Sequence, residues 1–245
     1  MRLQLRLCLE SDATFGRGEG VAGLVDEEIE YDVATGLPFV RGRVLKGLLV
    51  EECANLLFAL QTANSPALPA LEQSAERLFG QPGSDLKSTA LLHFGPALLP
   101  KQLREAVCYG IERNELKPPD VLESLTAIRR QTAIDEERGA PEKESLRSMR
   151  VVLRKTSFWA WLDFDKAPGT DNQTSKDKQT LENDLALLAA CTLSVRRGGI
   201  GRNRGRGRLS LRLLDEQGKD ITELYFKHFK RFLETSSQYP TGGQA

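Results

Sequence analysis

Near the end of this 245-residue chain stands GGIGRNRGRGRLSLRL, residues 198–213. From Arg196 to Arg212 there are seven arginines, five glycines and no acid. Arginine presents a planar fork matched to phosphate oxygens, and glycine lets a backbone come close to a ligand. Gly199, Gly201, Arg202, Arg204, Gly205, Arg206, Gly207 and Arg208 could thus follow a phosphate backbone rather than grip one phosphate. Seven like charges repel unless an anion answers them, which argues against a merely solvated loop. A second basic element, LPFVRGRVLKGLL, sets Arg41, Gly42, Arg43 and Lys46 around the start of a helix. Free N–H groups and a positive dipole end make such a start an anion seat. Two elements of this kind favour nucleic acid over a mononucleotide.

The chain carries 34 basic and 34 acidic residues, so the positive charge is local. Before the second basic element runs LVDEEIEYD, with Asp26, Glu27, Glu28, Glu30 and Asp32. Asp26, with Glu27, Glu28 and Glu30 nearby, could seat Mg²⁺, a hard oxygen-seeking ion. The glutamates could equally form a solvated face, or balance arginines within the fold or against a neighbouring subunit. RNA cleavage asks mainly for geometry: the 2′-hydroxyl attacks the adjacent phosphate in line, and a carboxylate holds a divalent ion or accepts a proton. Gly18, Gly20 and Gly23 match the dinucleotide fingerprint G-x-G-x-x-G. Five acids follow where a helix should open toward a pyrophosphate, which excludes that reading. His93 reads as packed, His228 as a solvent-edge residue, and neither has triad partners. Trp159 and Trp161 share one strand face and are expected in the core.

The elements that must position these residues follow from periodicity. Leu3, Leu5, Leu7 and Leu9 alternate as a strand, and Leu45, Leu48 or Leu49, Cys53, Leu56 and Leu60 recur at helical spacing. A short helix is expected over 65–80, a strand in TALLHF, and helices over 100–112 and 120–130, the last with an Asp120–Glu123 capping box. LRSMRVVLRKTSFWAWLDF gives two strands or one bent one, followed by a polar excursion over 165–180. A helix over 181–195 stops at Gly198, Leu209, Leu211 and Leu213 alternate as a closing strand, and a last helix covers 222–234. The order strand, helix, strands, helix, strand is ferredoxin-like, also that of RNA-recognition domains. The expected fold is α+β: an antiparallel sheet with helices on one face and large insertions. We expect one domain over 1–235, inserted roughly at 60–145, and a flexible tail over 236–245. No apolar run approaches the ~20 residues that span a bilayer. The alternating start is no signal peptide, and four scattered cysteines imply neither zinc nor disulfides, so a cytoplasmic protein without membrane contact is expected.

TGLPFVRGRVLKGLL resembles the G-x-P-x-I-P-G-S-S-L-K-G segment of the RAMP superfamily, the RNA-binding subunits of CRISPR–Cas effector complexes. Here RGRV replaces P-G-S-S, while Leu45-Lys46-Gly47 holds. GGIGRNRGRGRLSLRL is similar to the family's C-terminal glycine-rich loop and following strand. The passage RRQTAIDEERGAPEKESLRSMRVVLRKTSFWAWLDF is similar to type III backbone subunits. In those subunits an aspartate six residues before a second one, upstream of a T-G-L-P turn, is tied to cleavage of target RNA. Asp26 and Asp32 have that spacing before Thr35-Gly36-Leu37-Pro38. The resemblance therefore implies an antiviral subunit that binds guide CRISPR RNA, works among other effector subunits, and cuts paired target RNA as an endoribonuclease. It implies Asp26 as catalytic residue and ligand of Mg²⁺ or a similar ion. GEGVAGLVDEEIEYD also resembles subunits that grip the 5′ handle of the guide without cutting, so a scaffold or handle-binding role is the alternative. Guide-processing nucleases of the family use an early histidine, and the first here is His93.

Overall fold

A computed structural model describes residues 1–21, 25–81, 90–132, 138–139, 146–165 and 175–238. Strand β1 (Arg2–Leu9) lies inside a four-stranded sheet, between β5 (Ser157–Phe164) and β6 (Leu209–Leu214), with β2 (Leu92–Phe94) at the edge beside β5. All three pairings are antiparallel. With α1 (Gly42–Thr62) after β1 and α5 (Ser175–Ser194) after β5, this is the ferredoxin-like order expected from the sequence. Leu3, Leu5, Leu7 and Leu9 point inward beside Phe158, Ala160 and Leu162 on one side and Leu209, Leu211 and Leu213 on the other. Against this face α1 buries Leu45, Leu48, Leu49 and Cys53, and α5 buries Leu185, Leu188 and Thr192. Gly42 lets α1 start against the sheet edge, since a Cβ there would meet the Phe94 carbonyl at 2.1 Å.

The remaining elements frame this core. Helix α2 (Leu68–Phe79) is tied to α5 by Arg77, whose Nη2 lies 2.6 Å from the buried Asp184 carboxylate. Helix α6 (Thr222–Gln238) packs on α5. Helices α3 (Lys101–Glu112) and α4 (Pro118–Leu125) lead into a separate antiparallel hairpin, β3 (Thr126–Gln131) with β4 (Arg147–Val152). Within the stretch expected as insertion, 60–145, β2 thus belongs to the central sheet and β3 to the hairpin. The expected helix over 120–130 ends at Leu125, because Thr126 turns extended and joins the hairpin. Its N-cap is Lys117, with Pro118 in the first turn, rather than an Asp120–Glu123 box. Most of the loop over 132–145, much of the polar excursion and residues 239–245 of the tail lie outside the described residues. Among the described residues no helix is long and apolar enough to cross a membrane.

The tryptophans differ from expectation. They face away from the helices, because their β5 neighbours Phe158, Ala160 and Leu162 hold the core side. Arg2 lies over Trp161 at 4.4 Å and Arg6 over Trp159 at 5.5 Å. His93 is also on the open side rather than packed, with Nε2 3.0 Å from Asp165.

Candidate nucleic-acid interface

The arginine–glycine loop leaves α5 at Ser194 and returns as β6, folded back on itself by a pair of glycines. Gly198 donates to the Gly207 carbonyl at 2.9 Å, and Gly207 donates to Asp12 O. Gly207 has φ +68°, and a Cβ there would lie 2.0 Å from the Gly198 carbonyl oxygen, so only glycine closes the loop. Ile200 donates to Thr14 O, which fixes the loop to the segment after β1.

That segment brings Asp26 to the loop. Asp26 N–H donates to Ser148 O at 2.9 Å, and Asp26 Oδ2 accepts from the Ser148 amide at 2.6 Å and hydroxyl at 3.1 Å. The Ser148 amide, then its hydroxyl, holds the Asp26 carboxyl below the usual carboxylate range, so it is charged at neutral pH. Asp26 and Glu27 line a cleft of about 620 Å³ with Gly199, Gly201, Arg202 and Arg204 of the loop and Arg147 of β4. Two stretches more than 170 residues apart in sequence, each singled out by its own chemistry, thus face one space.

The other acids of the run are turned away from that cleft. Glu28 is buried and receives Arg150 Nε at 2.9 and 3.1 Å, while Arg150 Nη1 reaches Thr126. Glu30 is buried and paired with Arg41, and Asp32 closes a turn through Ala34 and Thr35. Of the openings left by the sequence, balancing arginines within the fold is what Glu28 and Glu30 do. Among the described residues no three acid, histidine or cysteine side chains gather as a metal cage. Asp26 and Glu27 are the carboxylates that line the cleft, and Mg²⁺ held by so few charged ligands would take most of its remaining oxygens from water and phosphate.

Arginines of the loop are not equivalent. Arg202 makes a two-pronged pair with Glu51 of α1 at 2.7 and 2.8 Å, which holds the Glu51 carboxyl below its usual range. Arg208 pairs with Glu10 at 2.8 Å. Arg206 turns toward Met149, and Arg204 is exposed in the cleft. Arg41, Gly42, Arg43 and Lys46 sit at the start of α1 and do not line the Asp26 cleft. Arg43 is exposed there and Lys46 half-buried. Reading motif by motif passed over Arg147 and Ser148, whose place depends on the β3–β4 register; only the basic spacing of LRSMR hinted at it.

The sequence matches the family model of the RAMP superfamily over residues 11–210. Among solved structures, the fold is similar to a chain of "Cryo-EM structure of the Type III-B Cmr-beta bound to cognate target RNA". The TM-score is 0.58 at 13% identity, covering 87% of this chain and 97% of that one. It is also similar to a chain of "Type III-B Cmr-beta Cryo-EM structure of the Apo state". There the TM-score is 0.56 at 14% identity, covering 88% and 98%. No curated protein matches the sequence.

Proposed function

This chain belongs to the RAMP superfamily, and from that premise we propose that it is a subunit of a type III CRISPR–Cas effector complex that binds guide RNA and cuts the paired target. The similarity to chains of Type III-B assemblies, one of them bound to cognate target RNA, supports the setting. The observation that carries the site is the single cleft in which Asp26 faces the arginine–glycine loop. In this reading the arginines and the α1 start with Lys46 hold phosphates without reading bases, and sequence is read by pairing between guide and target.

A charged Asp26 among arginines adds repulsion to RNA, so its value lies in the reaction rather than in affinity. A carboxylate already stabilised by Ser148 is a weak proton acceptor but a well-placed negative point. It orients the 2′-hydroxyl for in-line attack on the neighbouring phosphorus; the hydroxyl proton passes to water, the 5′-oxygen leaves and takes a proton from water, and a 2′,3′-cyclic phosphate is left behind. A divalent ion on Asp26 would supply charge neutralisation at that phosphate.

The test is target cleavage by the assembled complex carrying Asp26→Asn and, separately, Asp26→Ala. Asparagine keeps an oxygen for Ser148, so it removes charge with little structural loss. Both variants should bind target normally and cut at least ~10²-fold more slowly at the position this subunit covers. Chelating divalent ions should produce the same loss if an ion is held there. Equal cutting by wild type and Asp26→Asn would leave the scaffold or handle-binding reading, which the surrounding acidic stretch also fits.

A further inference from the structure

On the far side of the loop tip lies a second cleft, of about 680 Å³, that shares no lining residue with the Asp26 cleft. The chain of the loop passes from one to the other: residues 199–204 line the first, Gly205 and Arg206 the second. Facing Arg206 across the second cleft are Arg129 of β3 and the β4–β5 turn, Arg154–Lys155. Asp12 stands among them. Its Oδ2 accepts from Arg129 at 3.1 and 2.8 Å, and its Oδ1 accepts from the Arg154 amide at 3.1 Å. That carboxylate is therefore occupied by Arg129 and a backbone N–H. Among the described residues no carboxylate lies within ion-pair distance of the Arg154 or Lys155 side chains, both of which are exposed.

Lys155 is also in the wrong backbone conformation for a lysine. Its φ is +70°, the left-handed region that favours glycine and asparagine, and it is held there by donating to Leu9 O at 2.7 Å. A local rule broken by a charged residue, in a cleft, beside another unpaired cation, points to a use for the charge rather than for the turn.

We infer that this second cleft is a phosphodiester subsite, so that RNA crosses the Gly205–Arg206 tip and is gripped on both sides of it. The inference rests on the proposal that the loop binds RNA, and extends it by a second grip. Arg206 is the loop's contact in the second cleft, with Arg154 and Lys155 as the opposing contacts.

The test uses the purified full-length chain, a labelled oligouridylate long enough to span both clefts, and binding measured from 50 to 200 mM salt. The probe variant is Arg154→Gln with Lys155→Asn; the control for the loop itself is Arg204→Gln. Asparagine suits the left-handed backbone, so thermal stability should hold or rise while binding falls, a combination that misfolding does not give. Each lost single-strand phosphate contact flattens the salt slope by about 0.7, so two contacts remove about 1.4. The wild-type advantage should then shrink about sevenfold between 50 and 200 mM salt. If Arg204→Gln flattens the slope and the double variant does not, the second grip is refuted and the loop reading stands. If neither variant matters, or wild type does not bind, both fall. Unchanged RNA binding with failed complex assembly would assign the cleft to a protein neighbour and overturn the inference. Should the double variant melt lower, Lys155→Gly removes one of the two charges with the backbone relaxed, and must by itself flatten the slope by about 0.7.

Discussion

Replacing Glu28 by glutamine should unpin the acidic segment from the hairpin. Glu28 is 1% exposed and Arg150 6%, so their charges face each other away from water. Arg150 Nε binds both carboxylate oxygens at 2.9 and 3.1 Å, and one of those oxygens also accepts from the Ile29 amide at 2.9 Å. Arg150 is itself built into both neighbours: its amide donates to Glu27 O, and its carbonyl accepts from Thr14. Glutamine keeps the shape but turns an NH2 toward a guanidinium and leaves that guanidinium buried without a counter-charge. Breaking one partner of a buried pair costs about 3–5 kcal/mol. For a chain of this size each kcal/mol lowers Tm by about 2–4 °C, so the fall should be about 6–20 °C. Thermal and urea unfolding measure it directly. The double variant Glu28→Leu with Arg150→Met removes both charges and should regain most of the loss, since a buried pair exchanged for apolar groups is near neutral. A Glu28→Gln protein within about 1 kcal/mol of wild type would refute the anchoring role.

Glu51→Gln should release Arg202 to solvent, raising RNA affinity and steepening the salt slope by up to about 0.7, with little change in Tm because the pair is exposed. Gly207→Ala should destabilise well beyond Gly205→Ala when both are unfolded in urea. Both glycines have positive φ, but only Gly207 has a carbonyl oxygen in the way, whereas Gly205 has open space and should lose about 1 kcal/mol. Partial burial pushes the Asp12 carboxyl up, but the Arg129 bond and the Arg154 amide outweigh it and hold it below its usual value. Its stabilising share is thus full above the unfolded carboxylate pKa near ~4 and fades as pH falls through the lower native value. Asp12→Asn should remove that part of the acid limb when stability is followed from neutral to acidic pH.

The central sheet was legible because its strands alternate strictly. Leu3 to Leu9 and Leu209 to Leu213 each put one residue type on one face, and the structure pairs them residue for residue through Leu5↔Leu213, Leu7↔Leu211 and Leu9↔Leu209. The tryptophans misled because β5 carries large apolar groups on both faces, so period two fixes alternation but not which face is buried. The 120–130 stretch misled for a related reason: TAIRRQ earns its strand from pairing with a partner some twenty residues on, which local propensity does not see. The loop could be picked out from residue type and spacing, and Asp26 from the resemblance to type III subunits. That they share a cleft could not, because Ser148, which holds the Asp26 carboxylate, is placed by the hairpin register.

The balance of 34 bases against 34 acids acquires a physical meaning once partners are assigned. A positive loop can be neutralised by its own protein or by a ligand, and each arginine answers separately. Arg202, Arg208 and Arg212 have carboxylates of this chain, from Glu51, Glu10, and Asp220 with Glu223. Arg150 and Arg41 take Glu28 and Glu30 away from the cleft. The pairs that remain exposed are weak in water and can open when a phosphate arrives, whereas the buried one cannot. Arg204 and Arg206 have no carboxylate partner among the described residues, and they sit on opposite sides of the loop tip. Net charge near zero therefore does not weaken the case for a polyanion ligand. The fold uses its acids to shape the segment that carries Asp26 and, among the described residues, leaves Arg204 and Arg206 without a carboxylate where the two clefts open on either side of the loop.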